Sequence, residues 1–152
     1  MLRFLKPVRR TRAGTFQVNL SQDQREVLGA LPGQLRALFA NPDDPLLRRL
    51  FPPAYTDDDA ASEEYRRLMT EDLVERHQAA LDILERTADA TELNEEEMTA
   101  WMGALNQLRL VLGTTLDVSE DDDPTAASSP QHHLYYFLGA LQEVVIEALA
   151  SG

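Results

Sequence analysis

The chain has no cysteine among its 152 residues. That excludes disulfides, a thiolate nucleophile, a thiol redox switch and any Cys-type zinc site. No run of apolar residues reaches the length that spans a bilayer. The opening MLRFLKPVRRTRAG is basic but lacks the continuous apolar stretch of a secretory leader, so the expected location is the cytoplasm, away from membranes. Catalytic signatures are missing too: there is no Gly-rich phosphate loop, no G-x-S-x-G elbow and no His-Glu-x-x-His or Glu-x-x-His. His132 and His133 are adjacent and so do not share a helix face, and His77 is far from both in sequence. The carboxylate runs NEEEM and SEDDD lack EF-hand spacing and read as caps and solvated surface. The chain is therefore not expected to be an enzyme, and no cofactor or metal is implied.

What is present is enough apolar sequence, 43%, for one globular domain with its own core. The formal net charge is −12, and it is unevenly spread. Arg3, Lys6, Arg9, Arg10 and Arg12 precede the first acid, Asp23. Subtracting those five from the 14 Lys and Arg leaves 9 against all 26 Asp and Glu, so the rest of the chain carries −17. Such a body repels nucleic acid, and any DNA contact falls to the N-terminal arm through Arg9, Arg10 and Arg12. The plainer reading of that arm is a basic edge strand guarded against aggregation or paired with the acidic body.

Phe16, Val18 and Leu20 alternate with Gln17 and Asn19, the period of a half-buried strand. With a first strand in LRFLKPVRRT and a turn at Arg12–Gly14, residues 1–20 predict a small basic β-hairpin, with Pro7 placing its first strand at an edge. Residues 21–118 predict a helical core. Ser21 caps a first run, which Pro32 and Gly33 kink or split. Asp44 and Pro45 start a short helix through LLRRLF. A longer helix runs from a cap at Asp57 or Asp58 to about Ala88, with Tyr65, Leu68, Met69, Leu73, Ala80, Leu81 and Leu84 as its apolar face. Asn94 and Glu97 form a capping box before a helix that is apolar nearly all round towards Leu116. Residues 119–129 are an acidic loop, and residues 130–150 a C-terminal helix. The fold class predicted is mostly α: a single domain of five to six bundled helices with the small N-terminal hairpin. The wide apolar faces also admit a homodimer.

Two places invite a functional reading. Pro52–Tyr55 reads PPAY, the ligand type that docks on aromatic grooves. Its plainer role is a corner in which two prolines end one helix and Tyr55 packs under the next. Arg109 falls on the apolar stripe of its helix between Leu105 and Leu112. A buried guanidinium needs partners, and Asp43, Asp44 and Asp57, beside Tyr55 at the corner, are the candidates. The site is either a structural ion pair or a partner anchor.

At RLFPPAY, Arg49–Tyr55, and LNQLRLVLGTTLDV, Leu105–Val118, the chain resembles an actinobacterial family of short, acidic, mostly helical proteins catalogued as a domain of unknown function. The resemblance covers about Gly14 to Leu149. It implies a cytoplasmic bacterial protein whose genes lie near the Clp-protease adaptor and cysteine-biosynthesis genes. Some members of the family are described as oxidation-sensing transcriptional regulators with a cysteine pair and a sigma-factor partner. With no cysteine, this chain departs from that pattern, and a disulfide switch cannot operate in it. The expectation is a non-enzymatic regulator acting by protein contact, with a sigma factor or RNA polymerase as candidate partner and electrostatics aiding encounter with a basic surface. The alternatives are a DNA-binding regulator using the arm and an adaptor in regulated proteolysis.

Overall fold

The computed structural model describes residues 6–51, 59–116 and 129–151, with backbone alone for 59–62. PPAY, Asp57 and nearly all of the acidic loop lie outside the described residues. Strands β1 (Val8–Arg10) and β2 (Phe16–Val18) form the expected antiparallel hairpin, with Val8 opposite Val18 and Arg10 opposite Phe16. The turn closes through Thr11 N–H to the Thr15 carbonyl at 2.9 Å, and Gly14 supplies its positive φ of 87°. A third strand, β3 (Glu92–Leu93), extends the hairpin to a three-stranded sheet in the order β1-β2-β3. Two residues are too few to show an alternating pattern, so this strand carries no signal in the sequence. β1 stands at an edge of the sheet, and Val8, Phe16, Val18 and Leu93 point from the sheet into the core.

Helix α1 (Gln22–Leu38) begins with a full capping box: Gln24 N–H donates to Ser21 Oγ at 3.1 Å, and Ser21 N–H to Gln24 Oε1 at 2.9 Å. It continues through Pro32 instead of splitting there. Pro32 is buried on the same side as Leu28 and Leu35, so burial against the core outweighs the lost backbone bond. LLRRLF does not form an α-helix. Only one 3-10 turn, Pro45–Leu47, appears, capped by the Asp44 carboxylate on Leu46 N–H at 2.9 Å. These two places explain why the described residues hold four α-helices and not five to six.

α2 (Asp59–Thr87), α3 (Glu95–Leu116) and α4 (Pro130–Ala150) complete the bundle. The Asn94–Glu97 capping box at the start of α3 is present in both directions, at 2.9 and 2.8 Å. α3 is central, packing against α1, α2, α4 and the 3-10 turn. Its Met98, Trp101, Ala104, Leu105 and Leu108 are buried with Leu81 and Leu84 of α2 and Leu138, Leu141 and Val145 of α4. Trp101 is fully buried, and its indole donates to Thr87 Oγ1 at 2.7 Å. The Thr87 hydroxyl in turn donates to the Ile83 carbonyl at 2.6 Å, so both polar atoms are satisfied.

Candidate functional site

The basic arm is part of the fold. Val8 and Arg10 share the inner face of β1, as the two-residue period requires. Arg10 therefore reaches inward: its guanidinium lies 4.7 Å from the Phe16 ring centroid and donates to the carbonyls of Ala148 at 3.2 Å and Leu149 at 2.9 Å. Those are terminal carbonyls of α4, where the helix dipole favours a cation. Glu95 stands 3.8 Å from the same guanidinium. Arg9 points to the other face of the ribbon and donates to Gln17 Oε1 across the hairpin. Arg12 sits exposed at the hairpin tip. Arg9 and Arg10 thus leave β1 from opposite faces. Beside them, a groove of about 170 Å³ between β1 and α4 is lined by Lys6, Val8, Arg9, Arg10, Val144 and Glu147 among others.

Arg109 lies along α4. α3 and α4 run antiparallel in a constant register: Gln142 Nε2 donates to Asn106 Oδ1 at 3.3 Å, Gly139 faces the Arg109 stem, and Gly113 faces the Tyr135 ring. Arg109 Nη2 makes a long 3.4 Å bond to Asn106, and its Nε is buried with no partner. Among the described residues it forms no ion pair. Asp44 is occupied in capping the 3-10 turn, Asp43 is exposed, and Asp57 and Tyr55 lie outside the described residues.

Among the described residues the buried arginine is Arg25, which is 8% exposed. It donates to four carbonyls: Val18 at 3.0 Å, Leu20 at 3.2 Å, Ala88 at 3.0 Å and Ala90 at 2.6 Å. It therefore ties β2 and α1 to the turn after α2. Sequence reading missed it, because an arginine in the first turns of a helix looks like solvated surface until the turn that it clasps is placed. His77 is half-buried, stacked 6.0 Å from Phe39 and edge-on 5.7 Å from Phe51. Burial holds its imidazole below the ordinary 6.5, with the Leu50 carbonyl opposing.

The apolar face expected along α2 divides in two. Leu81 and Leu84 are buried, whereas Tyr65, Leu68 and Met69 are 66%, 58% and 43% exposed. Two facts of helix geometry cause this. At 100° per residue, the Tyr65–Leu68–Met69 face is centred roughly 140° round the axis from the Leu81–Leu84 face. α2 has 29 residues and is about 43 Å long, against 22 residues and about 33 Å for α3. Ala80 lies against Gly103 and the His77 carbonyl against Gln107, a register that carries Leu116 to the level of about Leu68. The first turns of α2 therefore lie beyond the level of Leu116, the last described residue of α3, while Leu68 and Met69 stand level with its last described turn. Among the described residues no group of His, Asp or Glu side chains converges to hold a metal, and no helix is long and apolar enough to cross a membrane.

The described residues thus form a capped helical bundle closed by a small sheet, with the basic strand β1 folded onto it and an apolar stripe exposed on α2. The model of the family described as domain of unknown function DUF2017 matches residues 5–149, and the chain belongs to that family. It is 33% identical over 132 residues to a protein of Mycobacterium leprae named putative oxidative stress regulator AosR, covering 71% of this chain and 59% of the relative. It is 29% identical over 150 residues to the oxidative stress regulators AosR of Mycobacterium tuberculosis and Mycobacterium bovis, covering 85% of this chain and 67% of each. The chain thus spans about three-fifths to two-thirds of the length of these relatives. No solved structure matches it.

Proposed function

We propose that this chain is a non-enzymatic cytoplasmic regulator that acts by binding another protein, with a component of the transcription machinery as the first candidate. The observation that carries this reading is the solvent-facing Tyr65–Leu68–Met69 stripe in the N-terminal half of α2. Large exposed apolar side chains side by side are a common mark of a contact surface. The names of the mycobacterial relatives support a regulatory role, and the net charge of −12 favours a basic protein over nucleic acid. With no cysteine, the signal reaches this chain by a route other than a thiol pair.

The DNA reading of the arm is the weaker one, since Arg10 is turned onto α4 and Arg9 onto Gln17. Fluorescence anisotropy with duplex DNA over a salt series, beside calorimetry with purified sigma factors and RNA polymerase core from an actinobacterium, separates the two. The expected result is a protein complex and no saturable DNA binding at low salt. Salt-sensitive DNA binding that disappears in an Arg9→Ala, Arg12→Ala variant, with no protein complex, would overturn the proposal.

A further inference from the structure

We infer that the occupant of the exposed α2 stripe is an amphipathic helix with basic residues along one border, supplied by a partner protein. The inference rests on the protein-contact reading above and adds to it a surface and a partner chemistry.

The border of the stripe sets the chemistry. Glu64, Glu71 and Glu75 are exposed, and at 100° per residue they form a row along one side of Tyr65, Leu68 and Met69, about 16 Å long. None of the three makes an ion pair among the described residues, whereas their neighbours do: Glu63 with Arg66 at 3.2 Å and Asp72 with Arg76 at 2.6 Å. Arg67 lies on the far side of the row from the stripe and forms no ion pair there either. The surface is thus an apolar strip with a line of uncommitted carboxylates beside it. A helix laid alongside with apolar anchors at i, i+3 and i+4, and Lys or Arg on the matching border, complements both parts.

Charge disfavours the other occupants. A second copy brings another −12, and an antiparallel pair sharing this stripe sets the glutamate row against itself. The stretch Asp117–Ser128 of this chain contains five acids and no base, and Asp57 and Asp58 precede α2. None of these offers a positive border to the row.

The test uses the full chain and two helical peptides of about 18 residues. One carries leucine on one face with lysine borders, and the other carries glutamate in place of lysine. Anisotropy is measured against the native protein, a Tyr65→Ser, Leu68→Ser, Met69→Ser variant and a Glu64→Lys, Glu71→Lys, Glu75→Lys variant. All six positions are exposed, and circular dichroism checks that each variant folds. The native protein is expected to prefer the lysine peptide. The serine variant is expected to lose about tenfold or more in affinity, and the lysine variant to exchange its preference for the glutamate peptide. Equal binding of the lysine peptide by all three proteins would overturn the inference, because it would reflect the acidic body at large. So would absence of peptide binding, or self-association in sedimentation abolished by the serine variant. A transcription-machinery complex that forms equally well with both variants would sink this inference and leave the protein-contact reading standing.

Discussion

A Cβ atom built on Gly113 of α3 would stand 2.8 Å from Cε1 of Tyr135 on α4. Arg49 Nη1, from the RLFPPAY stretch, would lie 3.3 Å from it. Gly113 belongs to LNQLRLVLGTTLDV, so residues of both family-like motifs meet at one close helix approach. Gly113→Ala removes the room that the tyrosine ring uses. Alanine gains about 1 kcal/mol in helix propensity, but overpacking costs about 1–3 kcal/mol. The expected net effect is destabilising. Gly103→Ala meets only Ala80 Cβ at 4.0 Å, and there the propensity gain should prevail. Thermal melts of the two variants should move in opposite directions.

Arg25 is expected to be the costliest charged residue to remove. Arg25→Met leaves carbonyls of Val18, Leu20, Ala88 and Ala90 without their donor, and the loss should be about 2–4 kcal/mol. Arg25→Lys keeps the charge but lacks the planar fork, and should recover only part. Urea unfolding followed by the fluorescence of Trp101, the single tryptophan, measures both.

Arg10 and Arg12 should separate cleanly. Arg10→Ala loses bonds to the Ala148 and Leu149 carbonyls and the contact over Phe16, for about 1–2 kcal/mol. Arg12→Ala, at the exposed hairpin tip, should fall within about 0.5 kcal/mol of the parent. Equal losses in denaturant midpoints would contradict the capping role given to Arg10.

His77 sets a pH dependence. Burial lowers its folded pKa below the ordinary 6.5, with no charged partner to offset it. Above 6.5 the imidazole is neutral in both states and costs nothing. As pH falls through 6.5, the unfolded chain takes up a proton that the folded protein resists, so stability declines until the folded pKa is passed. Protonation also disturbs the packing against Phe39 and Phe51, which ties those two rings to α2. Denaturant midpoints between pH 7.5 and 5 should fall for the native protein and fall less for His77→Gln.

The helix caps were legible because capping is local chemistry. Ser21 with Gln24, Asp44 with Leu46, Asn94 with Glu97 and Ser129 with His132 each span two or three residues. The hairpin and the buried face of α3 were legible because their periods fall within one element. By itself the sequence thus determined the mostly helical class, the C-terminal end of α2, the start of α3 and both ends of α4, and, through the missing cysteine, which chemistry the chain cannot perform. The tertiary structure alone decided which arginine is buried, where the arm's guanidinium goes and which half of α2 meets water. Each of those depends on residues far apart in the chain: Arg25 on a turn 63 residues on, Arg10 on a helix end 138 residues on, and the buried half of α2 on the facing residues of α3. A periodic pattern marks a residue as apolar or charged, but only packing supplies its neighbour.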